Sequence, residues 1–137
     1  MNEETTELVL PSRLDSIDKA AQEIAGAAAR SGIDEMTLFG IDLAVREAMA
    51  NAIKHGNRFD ETKQVTLSFE TTSEGFEIVI KDEGTGFDFE NLPDPTDPEN
   101  LLKASGRGIL FMRTFMDEVE WTNHDEGGTI VRMLKRR

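Results

Sequence analysis

The chain has 137 residues, no cysteine, and a formal net charge of −12 from 15 Lys and Arg against 27 Asp and Glu. With 38% apolar and 31% charged residues, it has the composition of one globular domain. The absence of cysteine excludes disulfides, thiolate zinc sites and cysteine nucleophiles, and the acidic balance disfavours direct binding to nucleic acid.

The N-terminal sequence MNEETTELVL is acidic and lacks the basic-then-apolar order of a secretory signal. No apolar run approaches the ~20 residues that span a bilayer. We therefore expect a cytoplasmic protein that does not enter a membrane. The acidity itself fits either solubility or a basic protein partner. It is also compatible with a small phosphorylated ligand, because backbone N–H groups and one or two Arg side chains can supply a local positive field.

The first elements are a short strand, TELVLPS, and a helix, LDSIDKAAQEIAGAAARSG. Pro11 closes the strand. Ser12 or Asp15 can cap the helix, whose apolar residues recur at helical spacing, and Gly32 is placed to stop it.

Asp34 can cap a second helix that reaches about His55. Its predicted apolar side consists of Leu38, Ile41, Val45, Met49, Ala52 and Ile53. Near its end, Glu47, Asn51 and His55 follow one another at intervals of four, so they should project from roughly one face. This polar row is either a solvated stripe or a site that holds a cation and activates a hydroxyl.

Two strands, QVTLSFETT and GFEIVIKD, alternate apolar and polar residues and are joined by SEG, which predicts a hairpin. A polar stretch with three prolines then predicts a lid over approximately residues 87–106. GRGILFMRTFMDEV predicts a third helix, and DEVEWTN and GTIVRMLKR predict a last hairpin. This order predicts an α+β fold in a single domain over residues 1–137. It is a two-layer sandwich with helices on one face of a mixed, mostly antiparallel sheet.

Four short motifs fall at element boundaries: EAMANAIKHG, DEGTGFD, GRG and GGT. In the second, Asp82 follows a strand and could accept a hydrogen bond from an exocyclic amine. Gly84 and Gly86 would let the backbone come close to a flat ligand. The alternative is a tight turn in which Asp82 bonds its own backbone.

The motif SGRGI lies where the lid meets the third helix, and N–H groups at a helix start form an anion site. Arg107 could reach a terminal phosphate, or it could be an exposed residue of a loop. Phosphates at Gly106–Gly108 would require a cation, and the Asn51 amide oxygen suits the partial protein shell of Mg²⁺. Glu47, one turn earlier, is better placed to act as a general base. His55 is either a capping or packing residue or a nucleotide contact.

These motifs resemble the ATP-binding (Bergerat-type) fold shared by DNA gyrase, Hsp90, histidine kinases and MutL. Within it, the chain is similar to the small bacterial anti-sigma factor serine/threonine kinases, which phosphorylate anti-sigma factor antagonists. The segments LAVREAMANAIKHGN, IKDEGTGFD and SGRGILFMRTFMDEVEW carry the resemblance. It extends over nearly the whole chain, from LVLPSRLDSIDKA to GGTIVRMLKR.

The resemblance implies ATP and Mg²⁺ as cofactors and assigns a role to each matching residue. In the family, the residues matching Asn51 and Glu47 bind magnesium and act as catalytic base, respectively. The residue matching Asp82 binds the adenine amine. Gly84 and Gly86 match residues of the adenine pocket, and Thr129 matches a residue near the adenine. Gly106, Arg107 and Gly108 match residues that hold the phosphates, and the arginine of the family contacts the terminal phosphate.

The resemblance further implies a protein kinase that phosphorylates a Ser or Thr of an antagonist, sequesters a sigma factor, and forms a homodimer through its N-terminal strand and helix. An alternative is a nucleotide-gated interaction switch without significant kinase activity, in which ATP only orders the lid. The presence of Glu47 near Asn51 favours a kinase over this switch, because a protein that only binds ATP needs the magnesium ligand but not the catalytic base. A histidine kinase catalytic domain detached from its sensor is a third alternative. The start at Met1 and the two helices before the first glycine motif disfavour it.

Overall fold

The computed structural model describes residues 5–84, 112–123 and 127–136. The predicted lid and the start of the predicted third helix lie outside these ranges, and residues 112–115 are helical. The described elements are β1 (Thr6–Pro11), α1 (Asp15–Arg30), α2 (Glu35–Asn51), a π-helical turn (Ala52–Gly56), β2 (Gln64–Thr71), β3 (Gly75–Lys81), β4 (Glu118–Asn123) and β5 (Thr129–Arg136).

The five strands form one sheet in the order β1-β2-β3-β5-β4. Every neighbouring pair is antiparallel, so within the described strands the sheet is purely antiparallel, with no parallel pairing to make it mixed. Both predicted hairpins are present, β2 with β3 and β4 with β5. The predicted α+β class is confirmed.

Alternation along the strands places one face of the sheet against the helices. Val65, Leu67 and Phe69 of β2 are buried, as the sequence pattern predicts, because successive side chains of a strand point to opposite faces. They share one core with the buried faces of both helices, which contribute Ala20, Ile24, Ala28, Ile41, Ala44, Val45, Ala48 and Met49. The fold is therefore a two-layer sandwich.

The opposite face of the sheet carries charged side chains. Arg132 of β5 is the centre of a partly buried ion-pair group, with its Nε 2.8 Å from a Glu77 carboxylate oxygen and one of its Nη atoms 3.4 Å from Glu118. Such a face suits contact with water. Among the described residues, no helix is both long enough and apolar enough to cross a membrane.

The start of α1 differs from the prediction. Leu14 occupies the N-cap position and makes no side-chain capping bond, and Asp15 is already the first helical residue. The Ser12 hydroxyl does not cap the helix because it donates to the carbonyl of Lys63 at 2.6 Å. The predicted stop is confirmed: α1 ends at Arg30, and Gly32 has a left-handed backbone with φ 84°.

The N-cap of α2 is the one predicted. The Asp34 carboxylate accepts a hydrogen bond from the backbone N–H of Thr37 at 2.8 Å, which satisfies one of the free donors at the helix start. The helix then runs for 17 residues in α geometry to Asn51. It thereby carries Glu47 and Asn51 to one end of the sheet.

Candidate functional site

Glu47 and Asn51 project from the C-terminal half of α2, one helical turn apart. Both are intermediate in exposure. Burial raises the pKa of Glu47 above its ordinary value, and the nearby Lys54 and His55 oppose this shift. A carboxylate held partly out of water has the environment of a proton acceptor.

His55 lies in the π-helical turn that follows α2 and is exposed. In this turn, the N–H of Asn57 donates to the carbonyl of Ala52 at 2.8 Å, a bond to the fifth preceding residue. The predicted row of Glu47, Asn51 and His55 therefore passes from α-helical into π-helical geometry between its last two members. A contact of His55 with a nucleotide stays a prediction.

Asp82 follows β3 directly and is only 3% exposed. Its Oδ1 accepts hydrogen bonds from the backbone N–H of Gly84 at 2.9 Å and of Thr129 at 3.1 Å. Burial raises the pKa of Asp82, and these two hydrogen bonds partly offset the rise. Within the described part of the chain, no hydrogen bond reaches Oδ2. Oδ1 thus accepts the backbone hydrogen bonds of the tight turn and of β5, whereas Oδ2 can accept a hydrogen bond from a ligand.

Glycines allow the backbone to close around this carboxylate. A Cβ atom at Gly84 would lie 2.0 Å from the carbonyl oxygen of Gly56. At Gly128, where φ is 95°, a Cβ would lie 2.1 Å from the carbonyl oxygen of Asp82. Any side chain at these positions would therefore displace backbone. Gly84 was among the predicted site residues, whereas the packing role of Gly56 was missed.

A pocket opens where the end of α2 faces the sheet. It brings together three of the predicted residues, Asn51, Asp82 and Thr129. The rest of its lining is apolar: Ala48, Ala52, Ile80, Met112, Trp121 and Val131. A concave, mostly apolar pocket with a few convergent polar groups is the usual form of a small-molecule site.

Trp121 is a pocket residue that sequence reasoning missed. It lies on β4 and carries the guanidinium of Arg113 over its ring, with Arg113 Cζ 5.5 Å from the ring centroid. Met112, fully buried beside Arg113, also lines the pocket. A single Trp in a strand pattern looks like an ordinary core residue, so only its position at the edge of the sheet could have indicated this role.

The other predicted site residues, Gly86, Gly106, Arg107 and Gly108, lie outside the described residues. Their roles stay predictions. In the described ranges, no group of three or more His, Asp or Glu side chains is placed to hold a metal ion. The side chain that fits Mg²⁺ here is Asn51, whose amide oxygen belongs to the ligand type that this ion prefers, and phosphate oxygens and water would complete the shell.

Taken together, the pocket offers the buried carboxylate of Asp82, apolar walls, and the amide of Asn51. The unpaired Oδ2 of Asp82 can accept a hydrogen bond from an amine at the rim of a flat ring. Glu47 lies one helical turn before Asn51 on α2, outside the pocket lining, where it can receive a proton from a hydroxyl. This arrangement fits a nucleotide with a base that carries an amine.

Comparison with known proteins agrees with this geometry. The family described as "Histidine kinase-like ATPase domain" matches residues 10–135. The chain is 29% identical to "Serine-protein kinase RsbW" of Bacillus subtilis (strain 168), over 98% of this chain and 86% of that protein. It is 31% identical to the protein of the same name from Staphylococcus epidermidis, over 94% of this chain and 84% of that protein.

A solved structure supports the fold. The crystal structure of the RsbU and RsbW domains of a Mycobacterium tuberculosis protein superimposes with a TM-score of 0.67 at 15% sequence identity. The match covers 97% of this chain and 32% of that longer chain.

Proposed function

Because the chain belongs to the RsbW family of serine-protein kinases, within the histidine kinase-like ATPase domain, we propose that it is an ATP-dependent serine/threonine protein kinase. The observation that carries the proposal is the pocket in which Asn51, Asp82 and Thr129 meet, one helical turn from Glu47. Membership of the family supports the binding of ATP, and the position of Glu47 supports a role as proton acceptor in phosphoryl transfer.

In this proposal, the free Oδ2 of Asp82 accepts a hydrogen bond from the exocyclic amine of adenine, while Thr129 and the apolar walls enclose the ring. Asn51 supplies an oxygen ligand to Mg²⁺. The ion, when bound, supplies positive charge that stabilises the phosphates during transfer. The glycines and Arg107 of the motif at Gly106–Gly108 hold the phosphate tail, and His55 lies beyond Asn51 as an additional contact.

Glu47 acts as the general base. It receives the proton of the Ser or Thr hydroxyl while the hydroxyl oxygen bonds to the terminal phosphorus and the bond to the departing ADP breaks. Phosphoryl transfer depends mostly on positioning and electrostatics, so these few groups suffice. The raised pKa of Glu47 improves its match to a proton-transfer role near the working pH.

We propose further that the protein substrate is an anti-sigma factor antagonist and that the same chain sequesters a sigma factor. The net charge of −12 supports a protein partner with basic surface rather than nucleic acid. In this proposal, residues 1–137 form a single cytoplasmic domain in which residues 87–106 are the lid.

A homodimer through β1 is the oligomeric state that we propose. β1 is an edge strand of the sheet, and its Val9 is 51% exposed. Leu14, which follows β1, is 57% exposed. Edge strands with exposed apolar side chains readily pair with a second chain.

One experiment tests the kinase activity. The purified protein is incubated with ATP labelled in its terminal phosphate, Mg²⁺ and candidate antagonist proteins, and transfer of label to the antagonist is measured. Transfer to a Ser or Thr supports the proposal. Saturable ATP binding without transfer to any antagonist would favour the nucleotide-gated switch, and no ATP binding would overturn both.

A further inference from the structure

Asn57 is a buried polar residue that ends the π-helical turn and whose side chain is fully hydrogen-bonded. It is 1% exposed. Its Nδ2 donates to the Ser12 hydroxyl at 2.8 Å and to the carbonyl of Gln64 at 3.0 Å. Its Oδ1 accepts the backbone N–H of Glu83 at 2.8 Å. One side chain therefore joins three segments that are far apart in sequence.

The partners of Asn57 are themselves tied to one another. Ser12, in the turn between β1 and α1, donates to the carbonyl of Lys63 at 2.6 Å. The Glu83 carboxylate accepts the backbone N–H of Gln64. Both additional bonds end at the start of β2, so the network anchors Glu83 from its backbone and from its side chain.

Glu83 stands between Asp82, which lines the pocket, and Gly84, whose backbone N–H donates to Asp82. The N–H held by Asn57 belongs to the peptide that links Asp82 to Glu83. A second bond spans Glu83: the backbone N–H of Gly84 donates to Asp82 Oδ1. A peptide that is fixed in this way limits how the Asp82 side chain can rotate, and with it the direction of the unpaired Oδ2.

We propose that Asn57 is a positioning residue that orients Asp82 for recognition of the amine on the bound base. It acts through the Glu83 peptide and does not itself line the described part of the pocket. This inference rests on the proposed function, because it assumes that Asp82 accepts a hydrogen bond from the amine of the bound base. It predicts that loss of the Asn57 acceptor reduces discrimination between bases, beyond any effect on folding.

The test compares two ligands, ATP and purine riboside triphosphate, which lacks the 6-amino group. Calorimetry gives the affinity of the protein for each. A hydrogen bond to a charged group makes the wild-type protein prefer ATP by about 10- to 100-fold. The ratio of the two affinities isolates the contact with Asp82, because the sugar and phosphates are identical.

Two substitutions of Asn57 separate positioning from stability. Asn57→Ala removes the acceptor for the Glu83 N–H, and we expect the ratio to fall at least fivefold. Asn57→Asp keeps an acceptor oxygen for that N–H, so most of the ratio should remain. It also buries a carboxylate, so its melting temperature should be at least as low as that of Asn57→Ala. A purely structural role predicts that the ratio follows the melting temperature instead.

Two buried serines give a matched pair of milder variants. Ser12→Ala removes a partner of Asn57, and we expect at least a twofold fall in the ratio. Ser16→Ala acts on a residue that is 3% exposed and removes a hydroxyl that donates to the carbonyl of Pro11 at 2.7 Å and, among the described residues, makes no bond to Asn57. It should leave the ratio unchanged.

An unchanged ratio in Asn57→Ala would overturn the positioning role. If neither Asn57 variant folds, Ser12→Ala decides, and a ratio equal to that of Ser16→Ala would overturn it. Failure of the wild-type protein to bind ATP, or to prefer it over the analogue, would instead contradict the proposed function at Asp82.

Discussion

Gly56 packs directly against Asp82: a Cβ atom added at Gly56 would lie 2.3 Å from Asp82 Oδ2 and 2.4 Å from its Cγ. Real atoms do not approach so closely, so Gly56→Ala must displace the carboxylate that we assign to the base. We expect the affinity for ATP, measured by calorimetry, to fall at least tenfold, about 1.4 kcal/mol.

Gly26 provides the matched control for this substitution. It lies within α1, where the one described atom within 4 Å of an added Cβ would be at the end of the flexible Arg30 side chain, at 3.2 Å. Gly26→Ala should stabilise the protein by roughly 0.5–1 kcal/mol through helix propensity and leave ATP binding unchanged. Wild-type affinity in Gly56→Ala would show that Asp82 is not the base contact.

Asp82→Asn should separate stability from binding. Because burial raises the pKa of Asp82, its ionised form is disfavoured in the folded protein relative to the unfolded chain. Asparagine removes that penalty at neutral pH and can still accept both backbone N–H bonds. We expect a melting temperature equal to or above that of the wild type at pH 7.

The pH dependence of the melting temperature tests whether the buried charge of Asp82 is the cause of this difference in stability. As the pH falls through the folded-state pKa and then the ordinary carboxyl pKa of 3.8, Asp82 becomes protonated and the advantage of Asp82→Asn should disappear. ATP affinity should be at least tenfold lower in this variant, because the amide that replaces Oδ2 donates toward the adenine amine. A variant that binds ATP as tightly as the wild type would refute the assignment.

Glu47→Gln should abolish transfer and preserve binding. The amide has nearly the same shape but cannot take a proton, so we expect phosphorylation to fall about 10²- to 10⁴-fold. ATP affinity should stay within about twofold. Since burial raises the pKa of Glu47 above 4.5, the wild-type rate should begin to decline at a higher pH than it would with an exposed glutamate as base. Full activity in Glu47→Gln would remove Glu47 from this role.

Asn51→Ala should remove the dependence of ATP affinity on magnesium. We expect wild-type affinity to drop when Mg²⁺ is chelated, whereas the variant should bind weakly and equally with or without the ion. The adenine contact is made elsewhere, so adenosine should bind both proteins alike. Calorimetric titrations with and without chelator make the comparison. A variant that keeps the full response to Mg²⁺ would show that Asn51 is not the ligand.

Val9→Asp should weaken the proposed dimer. It places a charge on the exposed side of β1, where Val9 is 51% exposed, so folding should be little affected. Met36→Asp is the control, because Met36 is 85% exposed and belongs to α2, not to the β1 edge strand. Analytical ultracentrifugation should show a lower dimer fraction for Val9→Asp alone. Equal dimer fractions in both variants would exclude this edge as the interface.

Much of the fold follows from local sequence patterns. β2 and β3 were predictable because Leu67 and Ile78 belong to regular apolar alternations separated by a short turn. Asp34 was predictable as a cap because it immediately precedes an apolar periodic segment. Ser12 looked equally suitable, yet its hydroxyl bonds Lys63, 51 residues away. Local patterns cannot anticipate a competing partner of that kind.

The site residues were predictable only where they belong to a recognisable sequence motif. Asp82 and Asn51 stand in motifs that resemble a family, and the fold brings both to one pocket. Asn57 gives no such signal, because two of its three hydrogen-bond partners lie 45 and 26 residues away in the chain. The same holds for Gly56, whose small size matters only against a carboxylate from another element.

Trp121 has a practical consequence for measurement. It is the single tryptophan of a chain that contains no tyrosine, and it lines the pocket. Ultraviolet excitation at 280 nm therefore yields emission from one ring beside the proposed adenine position. Ligand entry can be followed in real time with the unmodified protein, which has no thiol to which a fluorescent dye could be attached.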